Sequence, residues 1–298
     1  MTAIRVLLST YNGEKYLEEQ LQSLINQNSV EVDILVRDDG SSDGTTEILE
    51  RWQEKGLLKW YSGGNKGFAF SFMDLIENSG SYDYYAFCDQ DDIWLPDKLM
   101  AAKAKLDSID NPIKLYCSNL YYYKNGENLG LVKNAINKYD ICTSMIQNIA
   151  VGCTVVFNRG LKEIMTSRMP KHMMAHDYWA FQVAMLLGEV IYDPNAYILY
   201  RQHSNNQIGA KTTFREIWKR RFNNFLSSQK ITYAHQAQEL LSCFSSEISL
   251  EKYESVHNVA AYRSSIWKRL KLFGDKRYVM SSTSNNIMLR IKILLGKI

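Results

Sequence analysis

At 298 residues, with 46% hydrophobic and 22% charged side chains, the chain can bury a substantial core and has an ordinary globular composition. Its five cysteines (Cys88, Cys117, Cys142, Cys153, Cys243) are scattered and odd in number, which argues against a disulfide framework or zinc site and for reduced thiols. No apolar run reaches the ~18–20 residues of a bilayer span, and Ile4-Arg5-Val6-Leu7-Leu8 reads as a strand rather than a signal peptide, so a cytoplasmic location is expected.

The first predicted strand is residues 4–9, after which Leu17, Leu21, Leu24 and Ile25 recur at helical spacing. A second strand over 32–36 runs into a turn at 38–42, with Asp43 suited to cap the following helix. Gly63-Gly64-Asn65-Lys66-Gly67 reads as a loop before a helix over 68–76. After a strand over 84–88, Pro96 stands where the first turn of a helix accepts proline. Such alternation predicts an α/β fold, a parallel sheet with helices on both faces. From 113 to 204 the pattern loosens: 115–119, 154–157 and 197–200 read as strands and 177–187 as a helix. Beyond Lys211 helical patterns run to the C-terminus, so a boundary near 210 is expected between a catalytic domain (1–210) and a helical region (211–298).

The net charge of +3 hides an asymmetry. Residues 263–298 hold nine basic side chains against Asp275 alone, a net +8 that leaves −5 on residues 1–262. A basic tail seeks a polyanion, either nucleic acid or an anionic membrane surface. Lys211, Arg215, Lys219, Arg220 and Arg221 add to that charge, and Trp218, Phe222, Phe225, Trp267, Leu270, Leu272 and Phe273 are interleaved with the basic residues. Basic amphipathic helices with Trp and Phe suit lipid rather than nucleic acid. A helical bundle packed on the catalytic domain, or a contact in a homo-oligomer, fits the same pattern.

Three acidic clusters carry the chemistry: Asp38-Asp39-Gly40-Ser41, Asp89-Gln90-Asp91-Asp92 and His176-Asp177. The first two follow apolar strands, and the C-terminal ends of strands are where open α/β sheets bind ligands. Clustered carboxylates repel one another, which calls for a cation or a hydrogen-bonding ligand. Asp89-Gln90-Asp91 also reads as a solvated acidic turn, and Asp39 at a strand end can accept from the imide N–H of uracil or thymine. Ser9-Thr10-Tyr11-Asn12-Gly13 ends the first strand, where Tyr11 can stack on a base and Thr10 can hydrogen-bond to it. No dinucleotide fingerprint follows that strand and no P-loop occurs.

In that order and spacing, with Gly67 after Asn65, these motifs resemble the family 2 glycosyltransferases over roughly the first 205 residues. The resemblance implies a GT-A fold, Rossmann-like with a mostly parallel central sheet, and an inverting transfer from a nucleoside-diphosphate sugar donor. It implies that Thr10, Tyr11, Asn12, Asp39, Asn65, Gly67, Asp89, Gln90 and Arg201 bind the donor, and that Asp91, Asp89 and His203 hold Mn²⁺ or Mg²⁺. Such ions prefer carboxylate, water and phosphate oxygens and neutralise a departing diphosphate. Asp177 is the implied catalytic base, with His176 in support where the family often has Glu. The stretches His176-Asp177-Tyr178-Trp179 and Tyr200-Arg201-Gln202-His203 look most like bacterial polysaccharide rhamnosyltransferases. That likeness implies dTDP-rhamnose as donor and a lipid-linked glycan as acceptor, at the inner face of the cell membrane. A UDP-hexose donor is the alternative within the family.

Overall fold

A computed structural model of the chain describes residues 3–132, 139–203 and 231–298. Its catalytic portion alternates β1 (Ala3–Thr10), α1 (Glu14–Ile25), β2 (Glu31–Asp38), α2 (Thr45–Glu54), β3 (Lys59–Ser62), α3 (Phe68–Asn78), β4 (Tyr84–Cys88), β5 (Ile93–Trp94) and α4 (Lys98–Asp107). Then come β6 (Lys114–Lys124), β7 (Glu127–Leu131), α5 (Ile141–Ser144), a 3₁₀ turn (Gly152–Thr154), β8 (Val156–Asn158), α6 (Arg159–Ser167), α7 (His176–Leu187) and β9 (Glu189–Arg201). Four described helices follow: α8 (Tyr233–Phe244), α9 (Leu250–Ala260), α10 (Ile266–Gly274) and α11 (Thr283–Leu294).

The strands form one sheet in the order β3-β2-β1-β4-β8-β6-β9-β5, with β7 on β6. Strands β3, β2, β1 and β4 are mutually parallel, as the strand–helix alternation predicts. Short β8 enters antiparallel between β4 and β6, so the sheet as a whole is mixed. Alternation along β1 covers both faces: Ile4, Val6 and Leu8 join one core with Leu17, Leu21 and Trp52, while Leu7 joins the other with Phe72, Phe87 and Phe157. Thr10 lies in register with Asp38, and Leu8 with Cys88. The loops after β1, β2 and β4 therefore open at one level of one sheet edge.

Several elements differ from expectation for definable reasons. The strand expected over 154–157 begins only at Val156, because Gly152–Thr154 close a 3₁₀ turn. Strand β9 extends well before residue 197, and its pairing with β6 jumps from Ser118↔Asp193 to Asn119↔Ala196. Pro194, which lacks an N–H, sits in that irregularity and hides the strand from a pattern search. Asp43 does not occupy the cap position of α2; Gly44 does, and Asp43 accepts instead from the Thr45 and Glu14 amides at 3.1 and 3.2 Å.

The helices after residue 230 pack on the catalytic portion. Leu240, Phe244, Leu272, Tyr278, Leu289 and Ile293 share a core cluster with Trp179 and Phe181 of α7. The Gln236 side chain donates to Gln182 Oε1 at 2.9 Å and accepts from the Met174 amide at 2.7 Å. Gln147 and Ser281 exchange two hydrogen bonds of 2.8 and 2.9 Å. The expected boundary near 210, and Ser204-Asn205-Asn206, Lys211, Arg215, Trp218, Lys219, Arg220, Arg221, Phe222 and Phe225, lie outside the described residues.

Candidate active site

A cavity of about 730 Å³ opens at that sheet edge, between the loops after β1, β2 and β4 and the start of α7. Its lining brings together Thr10, Tyr11, Asp39, Asn65, Gly67, Asp89, Gln90, Asp91 and Asp177. Residues separated by up to 167 positions in sequence thus meet in one chamber. Asn12, Arg201 and His203 are not part of that lining.

At one end stand Asp39 and Tyr11. Asp39 is buried and ion-paired to the equally buried Arg37, while its Oδ2 accepts from Ser71 Oγ at 2.7 Å. Arg37 also donates to Ser71 Oγ at 2.9 Å and to the Gly64 carbonyl at 3.0 Å. A Cβ on Gly63 would lie 2.5 Å from Arg37 Nη2, so only glycine lets the loop close over the guanidinium. This buried, hydrogen-bonded pair holds one carboxylate in a fixed orientation at the cavity wall. Tyr11 is 49% exposed, leaving its ring face open to a planar ligand.

Asn12 does different work. Its Oδ1 accepts from the Ser42 amide at 2.8 Å, and its own amide donates to Ser41 Oγ at 2.8 Å. It ties the β1 loop to the β2 loop. Gln90, the middle residue of Asp-x-Asp, accepts through Oε1 from Thr10 Oγ1 at 2.6 Å and from the Tyr11 amide at 2.9 Å. Its Nε2 donates to the Tyr11 carbonyl at 3.2 Å. Gln90 therefore holds the β1 loop against the β4 loop as well as lining the cavity.

The other end is acidic. Asp89 is pushed up to about 7, chiefly by burial and then by the charges of Asp91 and Asp177. Asp91 Oδ2 lies 2.6 Å from His203 Nε2, and His203 stacks on Tyr16 with centroids 5.3 Å apart. Arg201 Nε donates to the Asp91 carbonyl at 2.9 Å, and the guanidinium also pairs with Glu19. Arg201 thus holds the loop behind the cavity. Asp92 is fully buried, its Oδ1 accepting from the Arg201 amide at 3.1 Å. Asp89, Asp92 and Cys153 bring potential ligand atoms within 4.8 Å of one another. Burial pushes the Cys153 thiol and the Asp92 carboxyl up and Lys98 down to about 7, so a divalent ion fits the cavity side of the cluster better. There Asp89 and Asp91, both in the lining, offer the carboxylate oxygens that Mn²⁺ or Mg²⁺ prefer, while His203, outside the lining, contacts Asp91.

Asp177 occupies the first turn of α7, where the helix N-terminus favours a negative charge. It is not the cap of that helix: Ala175 is, and Asp177 Oδ1 accepts from the Tyr178 amide at 2.6 Å. His176 lines the cavity but packs as an aromatic ring, stacked on Phe72 at 3.8 Å and edge-on to Phe87 at 4.7 Å. Burial pushes it down to about 3, so it is neutral at any working pH. A Cβ on Gly152 would stand 3.1 Å from its Nε2, which explains a glycine facing the ring.

Sequence reading missed Arg37, Ser71 and the buried Asp92 and Lys98, the latter lying over the Trp94 ring at 3.5 Å. Arg37 sits in an apolar strand and Lys98 in an amphipathic helix, and neither pattern distinguishes a buried cation from a solvated one. Phe68 and Tyr233, also in the lining, carry no motif.

The raised Asp89 makes stability depend on pH. Between roughly pH 4, where a free Asp titrates, and about 7, the folded protein holds a proton that the unfolded chain has released. This contribution is present at low pH and is lost as pH rises through about 7. His176 acts oppositely: its contribution is lost as pH falls from the free-His value toward about 3. Thermal melts of wild type and Asp89→Asn in EDTA, compared across this range, isolate the first effect. The wild type should lose stability toward pH 8 relative to the variant, and Mn²⁺ should reduce the difference. Parallel curves would mean that Asp89 is ionised throughout.

A parallel half-sheet joined to a mixed half, with acidic loops at one edge, defines a GT-A glycosyltransferase fold. The chain belongs to glycosyl transferase family 2, whose profile matches residues 5–209. It is 33% identical over 233 residues to the dTDP-rhamnosyl transferase RfbG of Shigella flexneri, covering 72% of this chain and 77% of that protein. An uncharacterized glycosyltransferase of Rickettsia typhi, RT0329, is 22% identical over 253 residues, covering 80% and 77% respectively. Among solved structures, S. aureus TarS 1–349 in complex with UDP-GlcNAc superposes with a TM-score of 0.56 at 17% identity, covering 99% of this chain and 91% of that one. The mannosyltransferase PcManGT of Pyrobaculum calidifontis, in complex with GDP-Man and Mn²⁺, gives 0.53 at 16% identity over 98% and 80%. These structural likenesses concern the fold.

Proposed function

We propose that this glycosyltransferase moves L-rhamnose from dTDP-β-L-rhamnose, with inversion, onto a lipid-linked glycan in bacterial cell-wall or capsular polysaccharide synthesis. The observation that carries the reading is a single cavity with an oriented Asp39 carboxylate at one end and Asp89, Asp91 and Asp177 at the other. The base stacks on Tyr11 and gives its imide N–H to Asp39, the diphosphate lies toward Asp89 and Asp91, and the sugar reaches Asp177. A divalent ion bound there neutralises charge on the leaving diphosphate. Asp177 takes the acceptor hydroxyl proton as that oxygen attacks the anomeric carbon opposite the diphosphate, which yields an α-rhamnoside. The 33% identity to a dTDP-rhamnosyl transferase favours rhamnose. Thymine and uracil offer Asp39 the same imide group, so a UDP-hexose is the second reading.

In this proposal residues 1–210 carry the chemistry and residues 211–298 hold the enzyme at the inner membrane face, where a lipid-linked acceptor resides. No helix among the described residues is long and apolar enough to cross a membrane, so the attachment is peripheral. The test incubates the purified full chain with Mn²⁺, a lipid-linked glycan acceptor and a panel of nucleotide sugars, following nucleotide release and the anomeric configuration of the product by NMR. Turnover of dTDP-rhamnose to an α-linked product is expected. Turnover of a UDP-sugar alone would move the donor to the second reading, and a β-rhamnoside would overturn inversion.

A further inference from the structure

Nine of the seventeen exposed large hydrophobic side chains among the described residues fall between 266 and 295, so the apolar surface is concentrated on α10 and α11. On α10, Ile266, Trp267, Leu270 and Phe273 are exposed, Trp267 to 77%, while Leu272 is buried. On α11, Ile287, Ile291 and Leu294 recur at i, i+4 and i+7 and are exposed, whereas Leu289 and Ile293 turn into the core. Each helix therefore has one apolar side anchored in the protein and a second facing outward.

The two helices are locked together. Arg290 of α11 donates to the Leu272 and Phe273 carbonyls at the end of α10 at 2.9 and 2.7 Å, and to the Asp275 and Tyr278 carbonyls at 3.0 and 2.9 Å. Arg277 is taken up by Asp275, the sole acid of the segment. These two arginines serve the fold. Lys268, Lys271 and Lys276 remain exposed around the apolar residues.

We propose that the outward sides of α10 and α11 form a rigid platform that seats this protein on an anionic lipid surface, with Trp267 and its apolar neighbours entering the interface and the exposed lysines meeting the headgroups. This deepens the attachment proposed above and does not depend on which sugar is transferred. Charge selects the occupant. A second copy docking through the same patch would set two positively charged surfaces against each other, because a twofold contact pairs a surface with itself. An anionic leaflet complements them, and an exposed Trp beside Lys is the pattern of an interfacial helix.

The test is co-sedimentation of the full chain with phosphatidylcholine vesicles, with and without phosphatidylglycerol. Binding should require phosphatidylglycerol, and the combined change Lys268→Gln, Lys271→Gln and Lys276→Gln should weaken it on the order of a hundredfold. Trp267→Ser with Ile287→Ser should weaken binding about tenfold or more even at low salt, because those residues supply apolar insertion rather than charge. Exposed positions tolerate these changes, and circular dichroism checks the folding. Should either variant unfold, the wild-type comparison with and without phosphatidylglycerol still decides. Wild type that stays in the supernatant, or binding equal in all variants, overturns the platform. So does a dimer in solution that Trp267→Ser dissociates while vesicles capture nothing. Transfer to a water-soluble acceptor, measured in parallel, separates the two proposals: a protein that catalyses yet ignores vesicles loses only the platform.

Discussion

Asp177→Asn is expected to lower the transfer rate by roughly 10²–10⁴-fold, the usual value of general-base assistance, while leaving donor affinity nearly unchanged. The substitution keeps side-chain size and keeps an Oδ1 that can accept from the Tyr178 amide at 2.6 Å, so the first turn of α7 has no reason to move. What it removes is the carboxylate able to accept the acceptor proton. The neighbouring His176 cannot substitute, since its ring is neutral but buried against Phe72 and Phe87. Single-turnover rates and calorimetric donor titration of the same preparation check both halves. Large loss of donor affinity with normal turnover at saturation would make Asp177 a binding residue instead.

Asp91→Ala should abolish stimulation by Mn²⁺ or Mg²⁺ and lower activity by at least two orders of magnitude, on the scale of losing one electrostatic stabiliser of a leaving group. Two consequences of the geometry sharpen this. His203 Nε2 lies 2.6 Å from the Asp91 carboxylate, so the substitution also removes that contact from the imidazole. Asp89 loses a neighbouring negative charge that helps raise it, so its titration should shift downward. Titration of Mn²⁺ by electron paramagnetic resonance should show weaker binding in Asp91→Ala than in wild type. Unchanged activity of the variant, or of wild type in excess EDTA, would remove the ion from the mechanism.

The parallel half of the fold was legible because each apolar run is short, is followed by turn chemistry, and precedes a helical period. The acidic loops were legible for the same reason: Asp39, Asp89 and Asp91 stand at the ends of such runs. The position of Asp177 in the first turn of a helix was legible because that helix follows a loop. What stayed hidden depends on contacts distant in sequence. Nothing in residues 32–38 says that Arg37 turns inward to meet Asp39, Ser71 and the Gly64 carbonyl. Nor does local sequence show that Asn12 bonds to the Ser42 amide or that Arg201 bonds to the Asp91 carbonyl. Strand β9 was curtailed in the reading by Pro194, whose effect is a local bulge. The C-terminal helices look autonomous from periodicity, while their inward residues complete the core behind α7.

Gln90 occupies the position that the Asp-x-Asp spacing leaves unspecified, and its amide joins the Thr10 hydroxyl and the Tyr11 backbone to the carboxylate loop through three hydrogen bonds. A nucleotide base settling on the first loop and an ion settling on the second would each restrain the same amide. Whichever arrives first lowers the ordering entropy left for the other, so the two affinities should rise together and by equal factors in either order of addition. Gln90→Ala would uncouple them, leaving each ligand to order its own loop. Equal affinities in wild type and Gln90→Ala, with either ligand added first, would show that the two loops order independently.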